Sequence, residues 1–431
     1  MKKYTKFYAF LLALLLLVSC SGSGDGTEAG TEEFTPPAAP ESFLDGRVSV
    51  SVSVGDLSLI ADLLDAEEYI REYHTADTFV TSLTIDPEGG ELTYSRSDSR
   101  ATGVGSCTYR ILRGGESSYS VSEWLKPEVS RNPFESNETF AGMSEVYAHY
   151  TGEELIGNLL AVLGDTAAPR QLSTDMLERV LGYSASASDS IDITGRTRSI
   201  SATFTCEELA SMLGGMAEDE SMTAEANALW RAFFDGDSGM PIDYRIRQQG
   251  DFALSMRLTA DAKTNRVELA DITAKGAGTL LSLVYDGSAG DIEISVKKDT
   301  LEADYSKKHE EGKVTTTLRT EQTDSAKQLK LTETDGAVYF ASERTKDGKT
   351  LRSSVKYDSN TETYTLTGGD IGLTLTLADG TLTGEAKNTK TQKTAALTFT
   401  TETDENTTTH TLTHVGERDV TGAGVSFIRK K

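Results

Sequence analysis

The stretch "TYTLTGGDIGLTLTLADG" (Thr363–Gly380) alternates apolar and polar residues for two short runs, each closed by glycine. Period-two alternation places one side-chain set on each face of a strand, so the pattern reads as strand, turn, strand with one covered face. The same pattern repeats outward in both directions: "FALSMRLTA", "LLSLVYDG", "DIEISVKK", "KVTTTLRT" and "AALTFTTE" all alternate. Asp286-Gly287, Asp335-Gly336, Asp347-Gly348, Asn360 and Asp379-Gly380 punctuate them, and Asp-Gly suits tight hairpins because glycine accepts positive φ. From Pro241 to the end the chain therefore reads as a β-meander with a Leu/Val/Ile face and a Thr/Lys/Glu face, typical of antiparallel sheet.

Further upstream, "RVSVSVSV" (Arg47–Val54) is a strand and "GDLSLIADLLDAEEYIREY" follows it with Leu57, Ile60, Leu63, Leu64 and Ile70 at helical spacing, predicting a helix over 56–73. "TFVTSLTI", "GELTYSRS", "SCTYRILR" and "SSYSVSEW" read as strands. Between about 144 and 234 the period turns helical. Capping boxes at Thr151/Glu154 and Thr205/Glu208 open two helices, and a strand pair, "DSIDIT" and "SISATF", interrupts them. Helices need a surface to cover and the apolar sheet face needs a cover. The expected class is α+β, mostly β: a large curved antiparallel sheet, half-barrel or meander, packed on a few helices inserted in the middle of the chain.

The N-terminus carries the most specific motif. "MKKYTK" is cationic, "FYAFLLALLLLV" is an apolar run of about 12 residues, and "LVSC" (Leu17–Cys20) ends it. A bilayer span needs roughly 20 apolar residues, so this is a signal peptide over 1–19. "LVSC" resembles the lipobox of bacterial lipoproteins. The resemblance implies cleavage before Cys20, lipid on its sulfur, and a membrane anchor on the extracytoplasmic face of the cell envelope. Loss of Lys2, Lys3 and Lys6 would leave a chain of formal charge −25 more acidic still. That charge excludes nucleic acid as a partner and opposes docking on anionic lipid. Residues 20–45, with "SGSGDGTEAGTEEFTPPAAPES", read as a flexible acidic tether. The body divides into 46–300, helix plus antiparallel sheet, and 301–431, a Thr-rich meander that either extends the same sheet or forms a second β domain.

"MPIDYRIRQQGDFALSMRL" (Met240–Leu258), following a helical insert in a chain with a lipobox, resembles the paired strands of the LolA-like envelope carriers and the related mycobacterial glycolipid-binding lipoproteins. The resemblance covers about residues 45–300 and implies a lipid sheltered between sheet and helices.

No catalytic constellation emerges. "GDSGMP" (Gly236–Pro241) is one letter from the segment around the nucleophile of chymotrypsin-like proteases, but Ser238 needs a His base and an orienting Asp. His74 in "YHTAD" and His149 in "YAHYTG" do not fit that role, and the stretch follows a helix where a turn is due. Asp235 to Gly239 begins like a calcium loop, yet Met240 and Ile246 stand where glycine and glutamate are required. His410 and His414 are four apart in "TTTHTLTHV", which is strand, so about 13 Å separates them at about 3.3 Å per residue and they read as exposed or half-buried strand residues. Cys206 beside Glu207 and Glu208 is no activated thiol. Cys107 and Cys206 form one disulfide or stay as two buried thiols. No cofactor and no metal are expected. The sequence points to a noncatalytic binding or structural lipoprotein, its partners being the membrane through Cys20 and a lipid or envelope protein; a hydrolase using dispersed carboxylates and an adhesion module are the alternatives.

Overall fold

The computed structural model describes, with short gaps, residues 49–125, Thr174, 181–211 and 253–430. Almost all of them are strand. The first run is β1 (Ser49–Val54), helix α1 (Ser58–Leu63), β2 (Ala76–Asp86), β3 (Glu91–Arg100), β4 (Gly103–Leu112) and β5 (Ser117–Leu125). The second is β6 (Ser188–Ile191), β7 (Thr197–Thr205), β8 (Ala253–Asp261), β9 (Val267–Gly276), β10 (Thr279–Asp286), β11 (Asp291–Lys298) and β12 (Leu301–Glu310). The last comprises β13 (Lys313–Gln322), β14 (Ser325–Thr334), β15 (Ala337–Lys346), β16 (Lys349–Asp358), β17 (Thr363–Gly368) and β18 (Ile371–Ala378). It continues with β19 (Thr381–Asn388), β20 (Thr394–Thr403), β21 (Thr407–Val415), β22 (Arg418–Asp419) and β23 (Val425–Lys430). The chain is thus mostly β, in open antiparallel sheet with few helices, as the alternation requires.

Two compact units share these strands: a middle unit of 151–310 with 320–323, and a terminal unit of 39–150, 311–319 and 324–431. In the middle unit β6 to β12 pair in chain order, each antiparallel to the next. One cross-strand row runs Ala202, Met256, Ile272, Leu283, Ile294, Tyr305, all on the buried face. Neighbouring apolar side chains across a ladder are the unit of sheet stability, so this row is the unit's spine.

The terminal unit is assembled differently. Its strands lie in the order β14 to β21, then β23, β1, β2, β3, β4, β5, all antiparallel. The first strand of the body is therefore clamped between β2 and the last strand of the chain. Its Val50, Val52 and Val54 are buried while the serines between them are half-exposed. A second buried row, Leu331, Phe340, Val355, Leu366, Leu373, Ala386, crosses β14 to β19.

Two contacts show that this sheet curls over its own apolar face. Arg429 of β23 donates from Nη2 to Glu362 Oε1 at 2.9 Å, although β18 to β21 lie between β17 and β23 in the sheet. At the opposite strand ends Asn388 donates from Nδ2 to the Leu64 and Asp65 carbonyls, 3.1 Å each. Helix α1 covers that end. Six residues are too few to hold a helix in water, and no side chain caps its start. What holds it is burial of Leu57, Ile60, Ala61 and Leu64, each at most 1% exposed, worth about 2 kcal/mol for each large side chain.

Two expectations need correction. The helix foreseen over 56–73 is interrupted after Leu63, where Asp65 takes φ 53, the Ala66 N–H returns to the Ala61 carbonyl and Asn388 occupies the carbonyls a further turn would use; Glu67 is helical again, and 68–73 lie outside the described residues. Asp379-Gly380 is a two-residue hairpin with φ 50 and 76, as the sequence requires. Asp286-Gly287 is not; β10 and β11 are joined through 287–290, with Gly290 at φ 75. Gly287 is needed instead for close approach, since a Cβ there would collide with the Val267 carbonyl oxygen. Of the helices foreseen between 144 and 234, Leu181, Glu207, Glu208 and Ser211 are helical and most other positions lie outside the described residues.

Candidate functional site

Cys20, Cys206, His74, His149 and the whole of Gly236–Pro241, with Ser238, lie outside the described residues. Cys107 is placed in β4, opposite Arg96 of β3 and Val121 of β5. The Thr205/Glu208 capping box is formed as read: the Thr205 N–H donates to Glu208 Oε2 at 2.8 Å and the Glu208 N–H to Thr205 Oγ1 at 3.2 Å. Glu208 also accepts the Ala185 N–H at 2.7 Å. The Thr205 N–H, then that of Ala185, holds its carboxyl below the usual range.

The two histidines of β21 part company. A bulge between the β20–β21 pairs at Thr398 and Phe399 shifts the phase of the strand. His414 is exposed, while His410, expected to be exposed or half-buried, has 0% of its surface in solvent. His410 stands on the inner face opposite Thr401 of β20 and Phe427 of β23. Its Nδ1 lies 2.9 Å from Thr401 Oγ1, and the Phe427 ring meets it edge-on at 6.1 Å between centroids. Among the described residues its Nε2 is buried with no hydrogen-bond partner. Burial pushes the imidazole below its ordinary pKa, so it is neutral at pH 7. The signal was present in the sequence, since His410 alternates in step with Leu412, but nothing local announced the bulge.

Further along the same inner face of β23, Arg429 is held by Glu362, and Tyr357 lies beside them. Burial, aided by Glu362 and opposed by Arg429, pushes the Tyr357 phenol up to about 12.

The middle unit has two polar clusters that sequence reading did not isolate. Arg198 of β7 forks onto Asp189 of β6, Nε to Oδ1 at 3.0 Å and Nη2 to Oδ2 at 2.6 Å. Its Nη1 donates to Thr174 Oγ1 at 3.2 Å and Asn265 Oδ1 at 3.1 Å. The Arg198 hydrogen bond lowers the Asp189 pKa against the effect of burial. The cluster ties Thr174 and the β8–β9 turn to the short strand β6. Separately, Asp291 Oδ1 accepts the His309 backbone N–H at 2.7 Å and faces His309 Nδ1 at 3.2 Å. Lys308 bridges Glu293 and, at 3.6 Å, Asp291 Oδ2. A carboxylate–imidazole pair of this kind, here with the imidazole buried and the carboxylate half-buried, can orient a general base; it also pins the end of β12 to β11. Both residues follow the strand alternation, so spacing along the chain gave no hint that they meet.

Among the described residues no group of three or more His, Cys, Asp or Glu could hold a metal ion, and no helix is long and apolar enough to cross a membrane. No family model, curated protein or solved structure matches the chain.

Proposed function

We propose that the chain is a lipoprotein anchored through Cys20 to the extracytoplasmic face of the envelope, with a noncatalytic structural or surface-binding role. The observation that carries this reading is the position of β1. The tether of 20–45 leads into a strand hydrogen-bonded on both flanks, through five residue pairs to β2 and six to β23. A pull on the tether must shear two ladders together rather than peel an edge strand, which is the geometry an anchored domain needs. The described inner faces are occupied by their own side chains, Tyr285, Tyr305, Tyr364, Phe204, Phe340 and Phe427 being the largest fully buried ones. That favours an envelope-protein partner on the outer surface over a lipid sheltered inside.

Metabolic labelling with an alkyne fatty acid tests the anchor. The expected result is label and membrane association for the wild type and neither for Cys20→Ser; an unlabelled wild type, or membrane-bound C20S, contradicts it. The second reading, a hydrolase, draws on the Asp291–His309 pair. It requires hydrolysis of a chromogenic ester or glycoside panel by the wild type and loss of that activity in His309→Gln.

A further inference from the structure

We propose that His410 makes the seam that joins the C-terminal strand to the body acid-sensitive: protonation of its imidazole loosens β23 from β21 and from β1. Among the described residues the two ends of the body meet at this seam. β23 pairs with β21 over Thr407–Thr411 and with β1 over all six of its residues, so His410, Phe427 and Val52 form one row across three strands.

In that row the neutral ring is accommodated. Thr401 Oγ1 engages Nδ1, and the remaining nitrogen is buried without a partner among the described residues, with the Phe427 ring beside the imidazole. The cation has two N–H donors and a full charge. Thr401 can accept one donor; the other has no acceptor in place, and the charge loses its hydration. Among the described residues no carboxylate is paired with it. Opposite it β20 offers Thr401, and β23 offers Phe427 with Arg429 two residues further on the same face, whose guanidinium is taken by Glu362. His414 of the same strand is exposed beyond the bulge. Burial alone accounts for the shift of His410. The remaining relief is for the ring to turn to water, which requires Phe427 and the strand that carries it to move aside.

The sign follows from linkage. An imidazole whose folded pKa lies below its ordinary value of 6.5 leaves stability undiminished above pH 6.5 and erodes it as pH falls, until the folded pKa is passed. If the native ring stays neutral at pH 5.0, the opening equilibrium rises by up to about 30-fold between pH 7.5 and 5.0.

Hydrogen exchange read by mass spectrometry at the two pH values, corrected for intrinsic rates, measures this directly. The wild type is expected to lose protection in β21, β23 and β1 at pH 5.0; His410→Gln, which keeps an amide for Thr401, is expected to lose the pH dependence, and His414→Gln to retain it. An equal pH dependence in H410Q overturns the proposal. Should H410Q fail to fold, NMR titration of the wild type labelled at histidine Cε1 decides, only five histidines being present. A signal that titrates well below 6.5, or only with seam opening, supports the proposal; five ordinary titrations overturn it.

Discussion

The middle and terminal units use the same strand chemistry but close in opposite ways. In the middle unit every described pairing joins strands consecutive in the described order, β6 through β12, and every ladder except β7–β8, whose strands are separated by residues 206–252, costs only a short loop. The terminal unit depends on β1 meeting β23, the first and last strands of the body, and long-range pairing of that kind forms late and against a larger loop-closure entropy. The comparison teaches that one alternating pattern can specify local hairpins completely while leaving the partner of an end strand open. It also places the vulnerability of the molecule at the seam.

Phe427→Ala should have the largest effect. Phe427 is 1% exposed and lies between Val52 and His410, so its loss should cost about 3–5 kcal/mol. Hydrogen exchange should show the loss in β1, β21 and β23 with β8 to β11 unchanged; equal loss in both units breaks the comparison.

How much of this was legible in the sequence follows from the same distinction. Strands β2 to β5, β17, β18 and β20 were readable because alternation and glycine turns are local signals, and the Thr205/Glu208 box was readable because both partners sit on one helical turn. The β1–β23 pairing was not, since Val50, Val52 and Val54 would suit any apolar neighbour. His410 alternates in step with Leu412, so its inward position was legible, whereas the exposure of His414 depended on a bulge that no residue type marks. Arg198, Asp189, Thr174 and Asn265 meet only after the fold is made.

Asn388→Ala should come next. It removes the amide that holds the Leu64 and Asp65 carbonyls and the oxygen that accepts from the Lys390 and Thr391 N–H groups. A loss of about 2 kcal/mol is expected, localised by exchange to α1 and the β19–β20 turn. No change in α1 would show that burial alone secures the helix.

Thr205→Ala in the middle unit should cost about 1 kcal/mol in urea denaturation. Because Glu208 has a lowered pKa, its share of this capping is present above the usual glutamate range and fades as pH falls through the folded value. A Thr205→Ala cost that grows toward acid would contradict the assignment.

Arg352→Ala should be the smallest. Its bond to Glu343 at 2.8 Å joins side chains 74% and 43% exposed, and such surface pairs contribute at most about 0.5 kcal/mol. A larger loss would mean that the outer face of the terminal unit adds to its stability beyond what the inner row supplies.

The claim on which the rest depends is that the two ends of the body are adjacent strands, and a designed cross-link tests it most directly. Ser53 and Ser426 are register partners across β1 and β23. With Cys20, Cys107 and Cys206 replaced by serine, the pair Ser53→Cys and Ser426→Cys should oxidise to one intramolecular disulfide, visible as a mobility shift that reductant reverses. Free thiols under oxidising conditions in protein that is otherwise folded would contradict the seam.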